Sequence, residues 1–263
     1  MRKSLRPKRN TDTAKKETKV KGGKKGSRGT KIKAKALSTY YGNPIKDMKL
    51  ICITGMTGKV DVAQFVYEIL KAAGEQVEVL ASDGALKVGE LHKFFSDAWK
   101  AGANYVVVTA PAESLQQDVF YGLPVYIAAI TDFVPVSLSD MSAEDFLEST
   151  STLFKMDPEI VILNHDDIHY QDFASFAGQK ATLTYGQDRF SAVQIESSKL
   201  YRKGVEANLN LSGVRFTVAS FLTGEPAVSY MACATAIATA LHLSTDYVVE
   251  GMANYDPEKV AGK

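Results

Sequence analysis

The sequence is most constrained by one succession: Lys49-Leu50-Ile51-Cys52-Ile53-Thr54, then Gly55-Met56-Thr57-Gly58-Lys59, then a helical stretch over 60–73. The unbroken apolar run of the first segment is that of a strand buried on both faces. Val62, Phe65, Val66, Ile69 and Leu70 recur at helical spacing, and Gly74 ends the helix. The alternation continues, with strands predicted over 77–81, 105–109, 125–130, 159–163 and 181–185, and helices over 88–101 and 143–154. Strands and helices in this order form right-handed βαβ units, so the predicted fold is α/β: three layers around a mainly parallel sheet. Beyond Gly186 the period drops to two over 192–201, 206–211 and 214–221, which predicts a small antiparallel subdomain within about residues 187–221. An Ala-rich helix (226–241) and a shorter one (245–253) close the pattern.

The glycine loop between the first strand and the first helix is where chemistry is expected. Glycines let the main chain approach phosphate oxygens, the helix N-terminus supplies amide donors, and Lys59 can neutralise phosphate charge. A complete loop of this kind carries Ser or Thr directly after the lysine to hold magnesium. Here that position is Val60, followed by Asp61. The plain alternative is a tight structural turn. As a loop residue, Lys59 is expected to be exposed and to carry little packing.

Charge divides the chain. Residues 1–35 hold fifteen Lys+Arg and two acids, while the other 228 residues hold 16 basic and 28 acidic side chains. Residues 1–39 contain no aromatic side chain, which predicts a disordered basic tail suited to RNA, DNA or an anionic surface, or merely solubilising, ahead of a folded body over 40–263. Cys52 and Cys233 lie in apolar surroundings and are expected to be reduced core residues. The run from 227 to 243 is too short and too interrupted by polar residues for a membrane span, and a cytoplasmic location is expected.

Thr54-Gly55-Met56-Thr57-Gly58-Lys59 resembles the TGTNGK loop of the Mur ligases, ATP-dependent amide ligases of peptidoglycan stem-peptide synthesis. Further segments are similar to that family in order: Gly122-Leu123 with Ala128-Ala129-Ile130-Thr131-Asp132 to GL…VFTN, Val161-Ile162-Leu163-Asn164-His165-Asp166-Asp167 to VxNxDD, and Thr184-Tyr185-Gly186 to TYG. Leu222-Thr223-Gly224 resembles LPG, and Val260-Ala261-Gly262-Lys263 resembles VPGR. The resemblance covers Met48 to Lys263, the central ATP-binding domain, and implies a partner chain supplying the remaining ligase domains. It implies ATP held by Thr54, Gly55, Met56, Thr57, Gly58, Lys59, Val60, Asn164 and Asp167, with magnesium as cofactor.

The departures are as informative. By this alignment Thr109 stands where the family has its metal-binding Glu, and Pro111-Ala112-Glu113 where it has SSH. No His matches the family's DHLD within 136–140, Thr150 replaces the modified Lys, and Pro226-Ala227 replaces the HN pair that meets adenine. Magnesium is then left to Asp61, Glu113 or Asp132. The expectation is a degenerate, ATP-binding relative without unaided catalysis, the alternative being a scaffold or a nucleic-acid-associated protein acting through its tail. Val60→Thr with Thr109→Glu is expected to raise magnesium-dependent ATP affinity. Asp166-Asp167 with His165 and His169 could ligate a metal, but more simply cap the next helix. Trp99 reads as core.

Overall fold

Strand β1 (Lys49–Thr54) sends Leu50 and Cys52 to one side of the sheet and Ile51 and Ile53 to the other, and all four are fully buried. An apolar run with a two-residue repeat therefore becomes the middle of three layers. The computed structural model describes residues 28–133 and 141–257. Helices α1 (Arg28–Tyr40), α3 (Val88–Lys100), α4 (Ala112–Gln116), α5 (Ala143–Phe154) and α6 (Tyr170–Ala177) cover the Leu50 face. Helices α2 (Lys59–Ala72), α7 (Pro226–Ala240) and α8 (Thr245–Asn254) cover the Ile51 face.

The remaining strands are β2 (Val77–Leu80), β3 (Tyr105–Thr109), β4 (Val125–Ile130), β5 (Ile160–Asn164), β6 (Ala181–Gly186), β7 (Val193–Tyr201), β8 (Gly204–Leu211) and β9 (Val214–Ser220). All nine form one sheet, ordered β2-β3-β1-β4-β5-β6-β7-β8-β9. Pairing is parallel from β2 to β7 and antiparallel among β7, β8 and β9. The antiparallel strands are thus joined to the parallel sheet through Tyr185↔Val193. Strand order reverses at β1, which is flanked by β3 and β4, so the carboxyl ends of β1 and β4 open a crevice where α/β proteins bind ligands.

Two expectations are corrected here. Residues 28–39 belong to helix α1, not to an unstructured tail; residues 1–27 lie outside the described residues. Ala34 is buried, Leu37 packs against the same core, Lys31 reaches Asp118 at 3.5 Å, and Lys31 and Lys35 lie over the Tyr121 ring. Docking onto the body orders a stretch whose composition alone would not. Trp99 is half exposed on α3 instead of belonging to the core. Cys52 and Cys233 are buried and free, as expected. Among the described residues no helix is long and apolar enough to cross a membrane.

Helix α2, which carries Lys59 at its first position, is held from behind by α8. A Cβ at Gly251 would strike the main chain of Ile69. Gly251→Ala is therefore expected to destabilise the fold by about 1–3 kcal/mol through overpacking, read as a lower urea midpoint at unchanged slope.

Candidate phosphate-binding site

The loop after β1 turns at two glycines that only glycine can occupy. Gly55 has φ +135° and a Cβ there would collide with Oγ1 of Thr131; Gly58 has φ +69° and a Cβ would enter the Tyr230 ring. Gly58 precedes α2, whose first-turn amides have no carbonyl partner within the helix. Thr54 is fully buried, and its Oγ1 meets no hydrogen-bond partner among the described residues. A buried hydroxyl without a partner, glycines closing tightly on their neighbours and free helix amides together fit an anionic oxygen ligand.

Other parts of the chain already meet this loop. Because Thr54 pairs with Ile130, the residues following β4 stand beside the loop. Thr131 N–H donates to the Thr54 carbonyl at 3.0 Å, and the Thr131 hydroxyl donates to the Thr57 carbonyl at 2.6 Å. The Asp132 carboxylate accepts the Met56 and Thr57 amides on one oxygen, at 2.9 and 2.8 Å, and the Thr57 hydroxyl on the other. Tyr230 of α7 places its hydroxyl 2.9 Å from Thr57 Oγ1. Burial raises the Tyr230 phenol above its ordinary value, and the charges of Asp132, Asp61 and Asp83 add to the rise.

Lys59 is buried, with only 7% of its side chain exposed, and donates from Nζ to Asp83 at 2.8 Å. This overturns the expectation of an exposed loop lysine: α2 starts at Lys59 and its stem packs inward while the ammonium reaches the turn after β2.

The remaining expected ligands are dispersed. Asn164 donates to the Thr131 carbonyl at 3.2 Å, and Asp167 accepts the Phe133 and His169 amides at 2.6 and 2.8 Å. Both therefore brace the chain that follows β4, and Asp167 also fixes the approach to α6. Asp166 accepts the Gln187 and Asp188 amides and locks the turn after β6. Asp61 accepts the Tyr255 hydroxyl at 2.8 Å, and Glu113 lies in the first turn of α4. Among the described residues no three His, Cys, Asp or Glu side chains are grouped to hold a metal ion. The phosphate part of the expected ligand fits the residues present. Thr109 is fully buried, with its hydroxyl accepting from Ser82 N–H and donating to Ser82 O, both at 2.8 Å. Thr150 is likewise buried and bonded back to Phe146 O. Residues 136–140 and 260–263 lie outside the described residues.

Three contributors were not anticipated: Asp83, Tyr185 in this role, and Tyr230. Tyr185 is fully buried and donates its hydroxyl toward the Ile130 and Thr131 carbonyls at 2.9 and 2.7 Å, fixing the strand end that carries Asp132. Tyr185→Phe removes this donor and leaves the Thr131 carbonyl to Asn164, and is expected to cost about 1 kcal/mol in a denaturant titration. The Asp61 carboxyl is raised above its ordinary range by burial, the Tyr255 hydrogen bond opposing and Asp83 reinforcing the rise. A carboxyl raised in the folded state contributes stability below its unfolded pKa and loses it as pH rises through the folded value. Asp61→Asn keeps an acceptor for Tyr255, so it should equal or exceed the natural chain in stability at pH 7. That advantage should vanish as pH falls through the carboxylate range, which denaturant midpoints across pH would read.

A three-layer α/β fold with a glycine loop at the sheet's switch point is a frame that many phosphate-binding domains share. Residues 53–238 match the Mur ligase middle domain, and the chain belongs to that family. It is 30% identical over 213 residues to the UDP-N-acetylmuramoyl-L-alanyl-D-glutamate--2,6-diaminopimelate ligase of Clostridium tetani, covering 76% of this chain and 44% of the relative. The ligase of the same name from Listeria monocytogenes is 25% identical over 238 residues, covering 80% and 47%. A solved structure of a ligase with that name superposes with TM-score 0.77 at 20% identity over 87% of this chain and 50% of the other. An FPGS–AMPPCP complex shares the fold with TM-score 0.67 at 13% identity, over 88% and 69%. The chain spans about half the length of the curated relatives it matches.

Proposed function

We propose that this chain is a nucleotide-phosphate-binding member of the Mur ligase family that serves peptidoglycan stem-peptide ligation without performing it unaided. One observation carries the reading: the loop from Thr54 to Lys59 keeps both positive-φ glycines, a buried hydroxyl without a partner and a lysine at the helix start. In this reading the first-turn amides of α2 bind phosphate oxygens, Lys59 neutralises their charge, and Thr54 Oγ1 hydrogen-bonds within the cradle. A cleft of about 460 Å³ lies along Asn164, Ile195, Glu225, Pro226 and Val228, large enough for a nucleoside. ATP is the nucleotide favoured by family membership and by the AMPPCP-bound fold relative. ATP also supplies the phosphoryl group that activates a carboxylate for amide formation.

The same residues argue against ligation by this chain alone. Val60 offers no hydroxyl, Thr109 is closed onto Ser82, and Asp61 is committed to Tyr255. Transferring a phosphoryl group without charge neutralisation typically adds several kcal/mol to a barrier, a loss of a few orders of magnitude in rate. The purified full chain, given ATP, magnesium, amino acids and muramyl peptides, is expected to release no phosphate above background. Robust release that requires both the amino acid and the muramyl peptide and disappears in Lys59→Met would overturn this part of the reading.

A further inference from the structure

Four donors that a phosphate would use at the mouth of the loop, the Met56 and Thr57 amides, the Thr57 hydroxyl and the Lys59 ammonium, already have partners from distant parts of the chain. Asp132 takes the Met56 and Thr57 amides and the Thr57 hydroxyl. One carboxylate oxygen receives two amides while the other receives a hydroxyl, the same array of donors that two phosphate oxygens would receive. Since Thr57 donates its hydroxyl proton to Asp132, the Tyr230 hydroxyl donates in turn to Thr57 Oγ1. The Tyr230 ring also occupies the space over Gly58. Asp83 holds the Lys59 ammonium. Asp132 and Asp83 together outnumber Lys59, so the closed loop presents net negative charge to an incoming anion.

We propose that Asp132, Thr57 and Tyr230 form a clasp that closes the loop on itself, and that a polyphosphate enters only when the Asp132 carboxylate swings off the two amides. This rests on the phosphate-binding reading and adds a competing occupant of the same donors. The backbone need not move to free the Thr57 amide and hydroxyl, whereas the Met56 amide keeps a second acceptor in the Asp132 main-chain carbonyl at 3.2 Å. Thr131 is pinned to Thr54 O and Thr57 O, and Tyr185 holds the Ile130 and Thr131 carbonyls, so the rearrangement is a rotation of the Asp132 side chain. When only a fraction of the molecules is competent to bind, the apparent dissociation constant rises by the inverse of that fraction. Charge-assisted hydrogen bonds of this kind hold the closed form by about tenfold or more.

The test is calorimetric titration of tripolyphosphate, and separately of ATP, into the full chain and its Asp132→Asn, Tyr230→Phe and Asp132→Asn/Lys59→Met variants. Asparagine keeps the size of the side chain but removes its charge and one of its two acceptors. Asp132→Asn is expected to bind both ligands about tenfold or more tightly than the natural chain. Tyr230→Phe, which leaves the ring in place and deletes only the hydroxyl, is expected to gain several-fold, and the Lys59→Met double variant to lose the gain. Thermal melts without ligand establish that each variant is folded, and the Tyr230→Phe comparison stands by itself should Asp132→Asn fail to fold. If the natural chain binds and the folded single variants bind equally or more weakly, the clasp is wrong while the phosphate reading stands. If no folded variant binds either ligand at millimolar concentration, both are wrong.

Discussion

Replacing Lys59 should separate two roles that the buried side chain combines. Lys59→Met keeps the packed stem and removes the ammonium, so stability should change by less than about 1 kcal/mol. The lost ion pair matters little to folding, because Asp83 is 76% exposed at its side chain. Polyphosphate affinity should nevertheless fall roughly 10- to 100-fold, since a charge-assisted donor at the centre of the cradle is gone. Lys59→Ala should lose the same affinity and additionally cost about 1–3 kcal/mol for the void left beside α2. Denaturant titration paired with ligand titration of both variants checks the split. Equal stability of Lys59→Ala and the natural chain would mean that the stem is not packed as described.

The second large effect concerns the position where the family carries a metal-binding carboxylate. Thr109 is fully buried and its hydroxyl bridges both main-chain groups of Ser82, holding the turn that presents Asp83 to Lys59. A glutamate there loses the hydrogen bond to Ser82 O and forces a larger, charged carboxylate into a fully buried position where Thr109 receives only the Ser82 amide. Thr109→Glu is thus expected to destabilise by about 3 kcal/mol or more, and pairing it with Val60→Thr should not raise ATP affinity. The sequence pattern alone suggests the opposite, a simple repair. A urea melt of Thr109→Glu showing stability near that of the natural chain would favour that simpler view.

The fold was legible because the period of the apolar residues changes cleanly between elements. KLICIT, YVVVT and VYIAAI are strands within a residue of where the pattern puts them, and the two-residue alternation after Gly186 marks the antiparallel strands. Helix α1 was hidden because its order comes from contacts with Asp118 and Tyr121, more than 80 positions away, and not from its own composition. Helix α6 was hidden for a different reason: eight residues, two of them buried, give too short a stripe for its period to register. At the site, the two glycines and the lysine were legible from the strand–loop–helix order. The partners of the loop were not, since Asp132 meets Thr57 across 75 positions and Tyr230 meets it across 173. The substitution of Asp132 for the Asn of the VFTN pattern was visible in the sequence, but only the pairing of Thr54 with Ile130 shows that its charge faces the loop amides. Asn164 and Asp167 were read as ligands because residues 161–167 resemble the family's VxNxDD; the structure gives their hydrogen bonds to the main chain at Thr131 and Phe133.

The most direct test of the phosphate-binding reading is a residue-resolved amide spectrum of the ¹⁵N-labelled full chain during titration with tripolyphosphate. Saturable shifts are expected to concentrate on Gly55 to Asp61, with the Thr57 and Met56 amides moving most as Asp132 leaves them, and to be absent in Lys59→Met. Shifts centred elsewhere, or a spectrum unmoved at millimolar tripolyphosphate, would contradict that reading.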